Sequence, residues 1–149
     1  MGTPSTEINE QAPNRRRLHN TRAELDEAAT AIVGEAERLG YPQASCFALR
    51  LAIEEAMSNA FRHGHRNLDP EADIELAWDV SPERITVAVE DQGPGFDPST
   101  LPDPTAEENI EKPSGRGLLL IRAYMSRIDF NDTGNRVTMV YLHPEKAAG

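Results

Sequence analysis

IELAWDVSPERITVAVEDQGPGFD, residues 74–97, decides how this chain folds. Ile74, Leu76, Trp78 and Val80 alternate with less apolar neighbours, Ser81, Pro82 and Glu83 supply a turn, and Ile85, Val87 and Val89 resume the alternation. A period of two puts every apolar side chain of a strand on one face, so the stretch predicts a β-hairpin with one buried side. Its second strand runs directly into Asp91-Gln92-Gly93-Pro94-Gly95-Phe96-Asp97, where glycine lets a backbone turn sharply or lie against a ligand.

The cover for that buried face lies upstream. Thr21 and Glu24 form a T-x-x-E capping box, followed at helical spacing by Leu25, Ala28, Ala29, Ile32, Val33, Ala36 and Leu39, until Gly40 and Pro42 end the run. A second helix is predicted from Gln43 to His63. Phe47, Leu51 and a stripe of Ala48, Ala52, Ala56 and Ala60 form its apolar side, small enough to lie close to a sheet. Glu55, Asn59 and His63 follow one another on the neighbouring stripe, while Arg50, Glu54 and Arg62 read as a solvated face with an Arg50–Glu54 pair.

Downstream, Pro98 to Ser114 holds four prolines and no period, which predicts a mobile loop. Gly115-Arg116-Gly117 then opens a helix with Leu118, Ile121, Met125 and Ile128 inward, and Asp132-Thr133-Gly134-Asn135 turns into a last strand, Arg136 to Leu142. With a short first strand, the order predicts an α+β two-layer sandwich, its helices on one face of a mainly antiparallel, mixed sheet. The expected organisation is a flexible tail over residues 1–13, one domain over 14–143 and a C-terminal tail over 144–149.

The chain has 149 residues, 15 Lys+Arg against 25 Asp+Glu and a formal charge of −10, which suits one domain and argues against direct nucleic-acid binding. One Cys excludes an intrachain disulfide. Neither a long apolar run nor a secretory leader is visible, so the expected setting is the cytoplasm, without a membrane. Arg15, Arg16 and Arg17 read as a solvated face more readily than as an anion site, and Cys46 as a small buried side chain. His63 and His65 as metal ligands lack a third ligand in an obvious place.

Three short motifs bear on chemistry. The Gly-x-Gly of 115–117 opens a helix, where unpaired N–H groups and the dipole favour phosphate, yet by itself it is equally a turn. Asp91 ends a buried strand, where a carboxylate accepts from an exocyclic amine or caps the turn. Glu55 and Asn59 stand one helical turn apart, suiting a carboxylate that takes a proton and an amide oxygen that binds a hard cation; a polar surface stripe looks the same. No Walker A loop or dinucleotide fingerprint occurs.

Taken in order, E-x-x-x-N-x-x-x-H-G (Glu55 to Gly64), D-x-G-x-G (Asp91 to Gly95) and G-x-G-L (Gly115 to Leu118) resemble the N, G1 and G2 boxes of the GHKL ATP-binding superfamily. The compact bacterial anti-sigma-factor serine/threonine kinases of stress and sporulation switches are most similar in length and layout. The resemblance implies a Bergerat-type fold in which Asn59 coordinates Mg²⁺, Glu55 is the general base or orients water, and Asp91 reads adenine. Gly93 and Gly95 would shape the adenine pocket and Pro98 to Ser114 the ATP lid. Gly115, Gly117 and Leu118 would form the phosphate-binding helix start, with Arg116 against a phosphate and His63 closing the helix over the site. It implies ATP and Mg²⁺ as ligands, a sigma factor and an anti-sigma antagonist protein as partners, and a homodimer. Two other activities fit the same boxes: a partner-switching interaction module with little or no kinase activity, and a stand-alone histidine-kinase-like catalytic domain.

Overall fold

The computed structural model describes residues 14–65, 68–94 and 121–144. Strand β1 (Asn14–Leu18) leads to helices α1 (Arg22–Arg38) and α2 (Gln43–Asn59), the latter continued by a π-helical turn (Ala60–Gly64). β2 (Ile74–Val80) and β3 (Arg84–Glu90) follow, then, after the helical residues 121–124, β4 (Arg127–Phe130) and β5 (Arg136–Leu142). The five strands form one sheet in the order β1-β2-β3-β5-β4, and every pairing among the described residues is antiparallel. The protein is therefore α+β, and no helix among the described residues is long and apolar enough to cross a membrane.

The capping box forms as read: Thr21 Oγ1 accepts from the Glu24 N–H at 3.3 Å and donates to Glu24 Oε2 at 3.0 Å. The other Glu24 oxygen accepts from the His19 N–H at 3.1 Å, and these bonds hold the Glu24 carboxyl below its ordinary range, the His19 amide contributing most. At its other end α1 closes in a Schellman motif, with Gly40 N–H on Glu37 O and Tyr41 N–H on Ala36 O. Gly40 takes φ +86°, a conformation that favours glycine.

Ile32, Leu49, Ile53 and Met57 of the two helices are fully buried against Ile74, Leu76, Val87 and Met139 of the sheet. Three polar bonds fix the helix layer. Trp78 Nε1–H donates to Glu35 Oε2 at 2.8 Å, the Tyr41 hydroxyl to Ser81 O at 2.7 Å and the Tyr141 hydroxyl to Ser45 Oγ at 2.6 Å. Burial, with Glu83 and Tyr141 nearby, pushes the Tyr41 hydroxyl up to about 12.

Three details differ from the sequence reading. Phe47, assigned to the apolar side of α2, is 56% exposed; Ser45, Cys46 and Leu49 take the buried side of that turn. The regular helix ends at Asn59, because the His65 N–H reaches back five residues to Ala60 O at 3.0 Å and widens the last turn. Ile128, read as helical, lies in β4 opposite Met139; it still faces the core, but from a strand whose neighbours Arg127 and Asp129 point to the other face.

The basic run Arg15–Arg17 behaves as a solvated face. Arg15 pairs with Glu75 at 2.9 Å, Arg17 with Asp73 at 3.1 Å, and the Arg16 guanidinium lies 5.5 Å from the Trp78 ring centre. Cys46 is buried, its thiol pushed up chiefly by burial, with Glu37 adding.

Candidate functional site

The C-terminal end of α2 and the end of β3 meet in a small polar knot. Asp91 leaves β3 with its peptide clamped by Asn135: its N–H donates to Asn135 O at 2.9 Å and its carbonyl accepts from Asn135 Nδ2 at 3.1 Å. Asn135 is positioned in turn by Asn131, whose Nδ2 donates to Asn135 Oδ1 and whose Oδ1 takes the Gly134 and Arg136 amides. The aspartate carboxylate turns back to accept the Gly93 N–H at 2.8 Å. It is pushed above the ordinary carboxylate range by burial, against the opposing pull of that N–H and of His65.

His65 supplies the second tie. Its Nε2 accepts the Gln92 N–H at 2.9 Å, which fixes the other ring nitrogen as the protonated one when the ring is neutral, and its ring stacks edge-on against Phe61. Gln92 extends onward to Asp73, donating to its carbonyl at 3.0 Å and its carboxylate at 2.7 Å. The two turns approach so closely that only glycine fits. A Cβ on Gly64 would stand 2.2 Å from Asp91 Cγ and Oδ2, and one on Gly93 would stand 1.9 Å from Gly64 O. Neither residue needs positive φ; what glycine supplies here is space.

Glu55 and Asn59 lie one turn apart on α2, and a third residue joins them. Arg62 Nη2 donates to Glu55 Oε2 at 3.0 Å and to Asn59 Oδ1 at 3.1 Å. The sequence reading places Arg62 on the solvated face beside Arg50 and Glu54; it is exposed as read, but its bonds go to Glu55 and Asn59, while Arg50 ties α2 to Asp26 and Thr30 of α1 as well as to Glu54. At about 100° per residue, Arg62 falls roughly 20° from Glu55 around the helix axis, so helical arithmetic alone carried the signal. A carboxylate and an amide oxygen converging on one positive group are a hard-oxygen donor set of the kind Mg²⁺ takes.

The structure thus brings Glu55 and Asn59 together around one cation, and Asp91 and Gly93 together against Gly64, the last residue of the π turn that carries Arg62. Gly95, Gly115, Arg116, Gly117, Leu118, the predicted lid from Pro98 to Ser114 and the side chain of His63 lie outside the described residues. Sequence reasoning missed Arg62, the tight fit at Gly64, the structural bond of His65 and the Asn135 clamp. Besides the helical spacing of Arg62, the H-G-H run closing α2 and the asparagines flanking the last turn were their only traces. Among the described residues no group of three or more His, Cys, Asp or Glu is arranged to hold a metal ion, and His65 spends a ring nitrogen on Gln92.

A helix end carrying an acid and an amide, packed on a strand end carrying a second acid and a glycine turn, is the arrangement the first two boxes imply, and residues 14–141 match the family described as the histidine kinase-like ATPase domain. The chain belongs to the histidine kinase-like ATPase domain family. Within it, the chain is similar to the serine-protein kinase RsbW of Bacillus subtilis, 30% identical over 123 residues that cover 77% of this chain and 76% of that protein. It is also similar to the serine-protein kinase RsbW of Oceanobacillus iheyensis, 30% identical over 111 residues covering 70% of each chain. In three dimensions it resembles a chain of the SiaB-SiaC complex from Pseudomonas aeruginosa, with a TM-score of 0.55, 12% identity and 86% and 87% of the two chains covered. That last likeness is one of fold alone.

Proposed function

We propose that this chain is an ATP-binding anti-sigma regulator that binds a sigma factor and transfers the γ-phosphoryl group of ATP to a Ser or Thr of an antagonist protein. The observation that carries the reading is the convergence of the Glu55 carboxylate and the Asn59 amide oxygen on one positive group, at the helix end packed against Asp91. The likeness to proteins named serine-protein kinases supports transfer to a hydroxyl over transfer to His.

In this reading Asp91 accepts from the adenine amine, and Gly64 and Gly93 let the helix end close onto the strand end that presents it. Asn59 would hold Mg²⁺, which when bound would neutralise charge on the phosphate oxygens. Gly95 completes the adenine turn, and Gly115, Gly117 and Leu118, with Arg116, receive the phosphates. Glu55 takes the proton of the acceptor hydroxyl as its oxygen bonds to the γ-phosphorus and the bond to ADP breaks. The domain that does this spans residues 14–143 and works in the cytoplasm.

The test uses the purified chain with antagonist captured from the native cell. Glu55→Gln should bind Mg-ATP within a few-fold of wild type yet transfer phosphate about a hundredfold more slowly or worse. Glu54→Ala, an exposed carboxylate paired with Arg50, should match wild type in both assays. Full transfer by Glu55→Gln would remove Glu55 from catalysis. Acid-labile phosphate on the partner would make the acceptor a histidine. A wild type that exchanges partners between ATP and ADP but phosphorylates none would establish the interaction-module reading instead.

A further inference from the structure

The Arg62 side chain has a place that the proposed function does not use. One guanidinium nitrogen straddles the Glu55 carboxylate and the Asn59 amide oxygen, at 3.0 and 3.1 Å, and its hydrogen bonds among the described residues go to these two groups alone. The spacing is built in: three and seven residues after Asn59 and Glu55, Arg62 returns to the same side of the helix, and the π turn in which it sits presents it back over them. Glu55 is the more sheltered partner, its side chain 23% exposed against 48% for Arg62, so the arginine lies over the pair from the solvent side.

We propose that Arg62 is an internal cation that occupies the Glu55–Asn59 donor pair and competes there with a metal–nucleotide complex. The inference rests on the reading of Asn59 and Glu55 as metal holder and base, and it adds a regulator to that site. The two oxygens keep spare lone pairs, but two positive groups brought against the same carboxylate and amide oxygen repel each other, so the guanidinium raises the cost of bringing in a metal. Entry of the metal therefore favours departure of the guanidinium. Its half-exposed position makes departure cheap: an exposed ion pair is weak enough to open and strong enough to register as a modest reduction in affinity. The lock also keeps one Glu55 oxygen, Oε2, engaged until the metal complex arrives.

Calorimetry with ATP in Mg²⁺ and in EDTA separates this role from others, because Arg62 also attracts the nucleotide's negative charge and that effect enters both conditions. The readout is the ratio of the dissociation constant in EDTA to that in Mg²⁺. Arg62→Met and Arg62→Gln should each raise this ratio about two- to fivefold over wild type, the range an exposed pair supports. Arg62→Lys, which keeps the charge, should stay near wild type. A ratio unchanged or lowered in both uncharged variants would overturn the lock; a lowered one would make Arg62 an aid to metal–nucleotide binding. The underlying functional reading fails differently. If wild-type binding is absent, or if it does not respond to Mg²⁺ and Asn59→Ala leaves it unaltered, the metal role of Asn59 falls and the lock falls with it.

Discussion

Gly64→Ala tests the packing of the site with a magnitude set by the coordinates. A Cβ at residue 64 meets Asp91 Cγ and Oδ2 at 2.2 Å and Oδ1 at 2.7 Å, all closer than the 3.0 Å that real contacts of this kind respect. The aspartate cannot simply rotate away without losing the Gly93 N–H, and its own peptide is pinned on both sides by Asn135. Overpacking of this kind costs about 1–3 kcal/mol, partly offset by the roughly 0.5–1 kcal/mol that Ala gains over Gly in a helical turn. Because the three nearest atoms all belong to the Asp91 carboxyl, the penalty should nearly vanish in an Asp91→Ala background. Urea denaturation of wild type, both single variants and the double variant gives the coupling directly, provided the slope m stays constant. Gly93→Ala is the contrasting case: its Cβ meets backbone, Gly64 O at 1.9 Å, so its penalty should persist when the Asp91 carboxyl is removed. A Gly64→Ala penalty of the same size in both backgrounds would refute the contact.

Two further outcomes follow from the same knot. His65→Leu removes the acceptor of the Gln92 N–H and should cost about 1–2 kcal/mol, with faster hydrogen exchange at the Gln92 amide; unchanged exchange there would place that bond elsewhere. Asp91→Asn should raise the melting temperature at neutral pH while weakening nucleotide binding. Burial lifts the folded carboxyl above its unfolded value, so ionisation costs stability as pH rises through the carboxylate range, and the Asn variant escapes that cost. The gain should therefore shrink as pH falls from about 7 to about 3, and a gain that grows on acidification would reverse the assigned sign.

The glycines show how far the local signal reaches. Gly-x-Gly after a strand announces either a turn or a close approach, and the sequence has no means to choose, since both require the same missing Cβ. The structure chooses close approach at Gly93, where φ is ordinary and the obstruction is the Gly64 carbonyl from another element. Arg62 is the opposite case. Its position near Glu55 and Asn59 was available from helical geometry, but a basic residue near Arg50 and Glu54 was read as one more solvated charge.

By itself the sequence determined the elements that announce themselves through periodicity and capping: the β2–β3 hairpin, the Thr21–Glu24 start of α1, the Gly40 stop, and the stripe on α2 that carries Glu55 and Asn59. These depend on neighbours within a turn or across one hairpin, so the pattern of apolar and special residues suffices to write them. The order of the strands was settled by tertiary structure. β5 inserts between β3 and β4, which places Asn135 against Asp91, and α2 crosses the sheet so that Gly64 and His65 reach residues 27 positions further along the chain. Contacts of that range depend on the path of the whole chain and on which faces compete for burial, and neither leaves a period in the sequence.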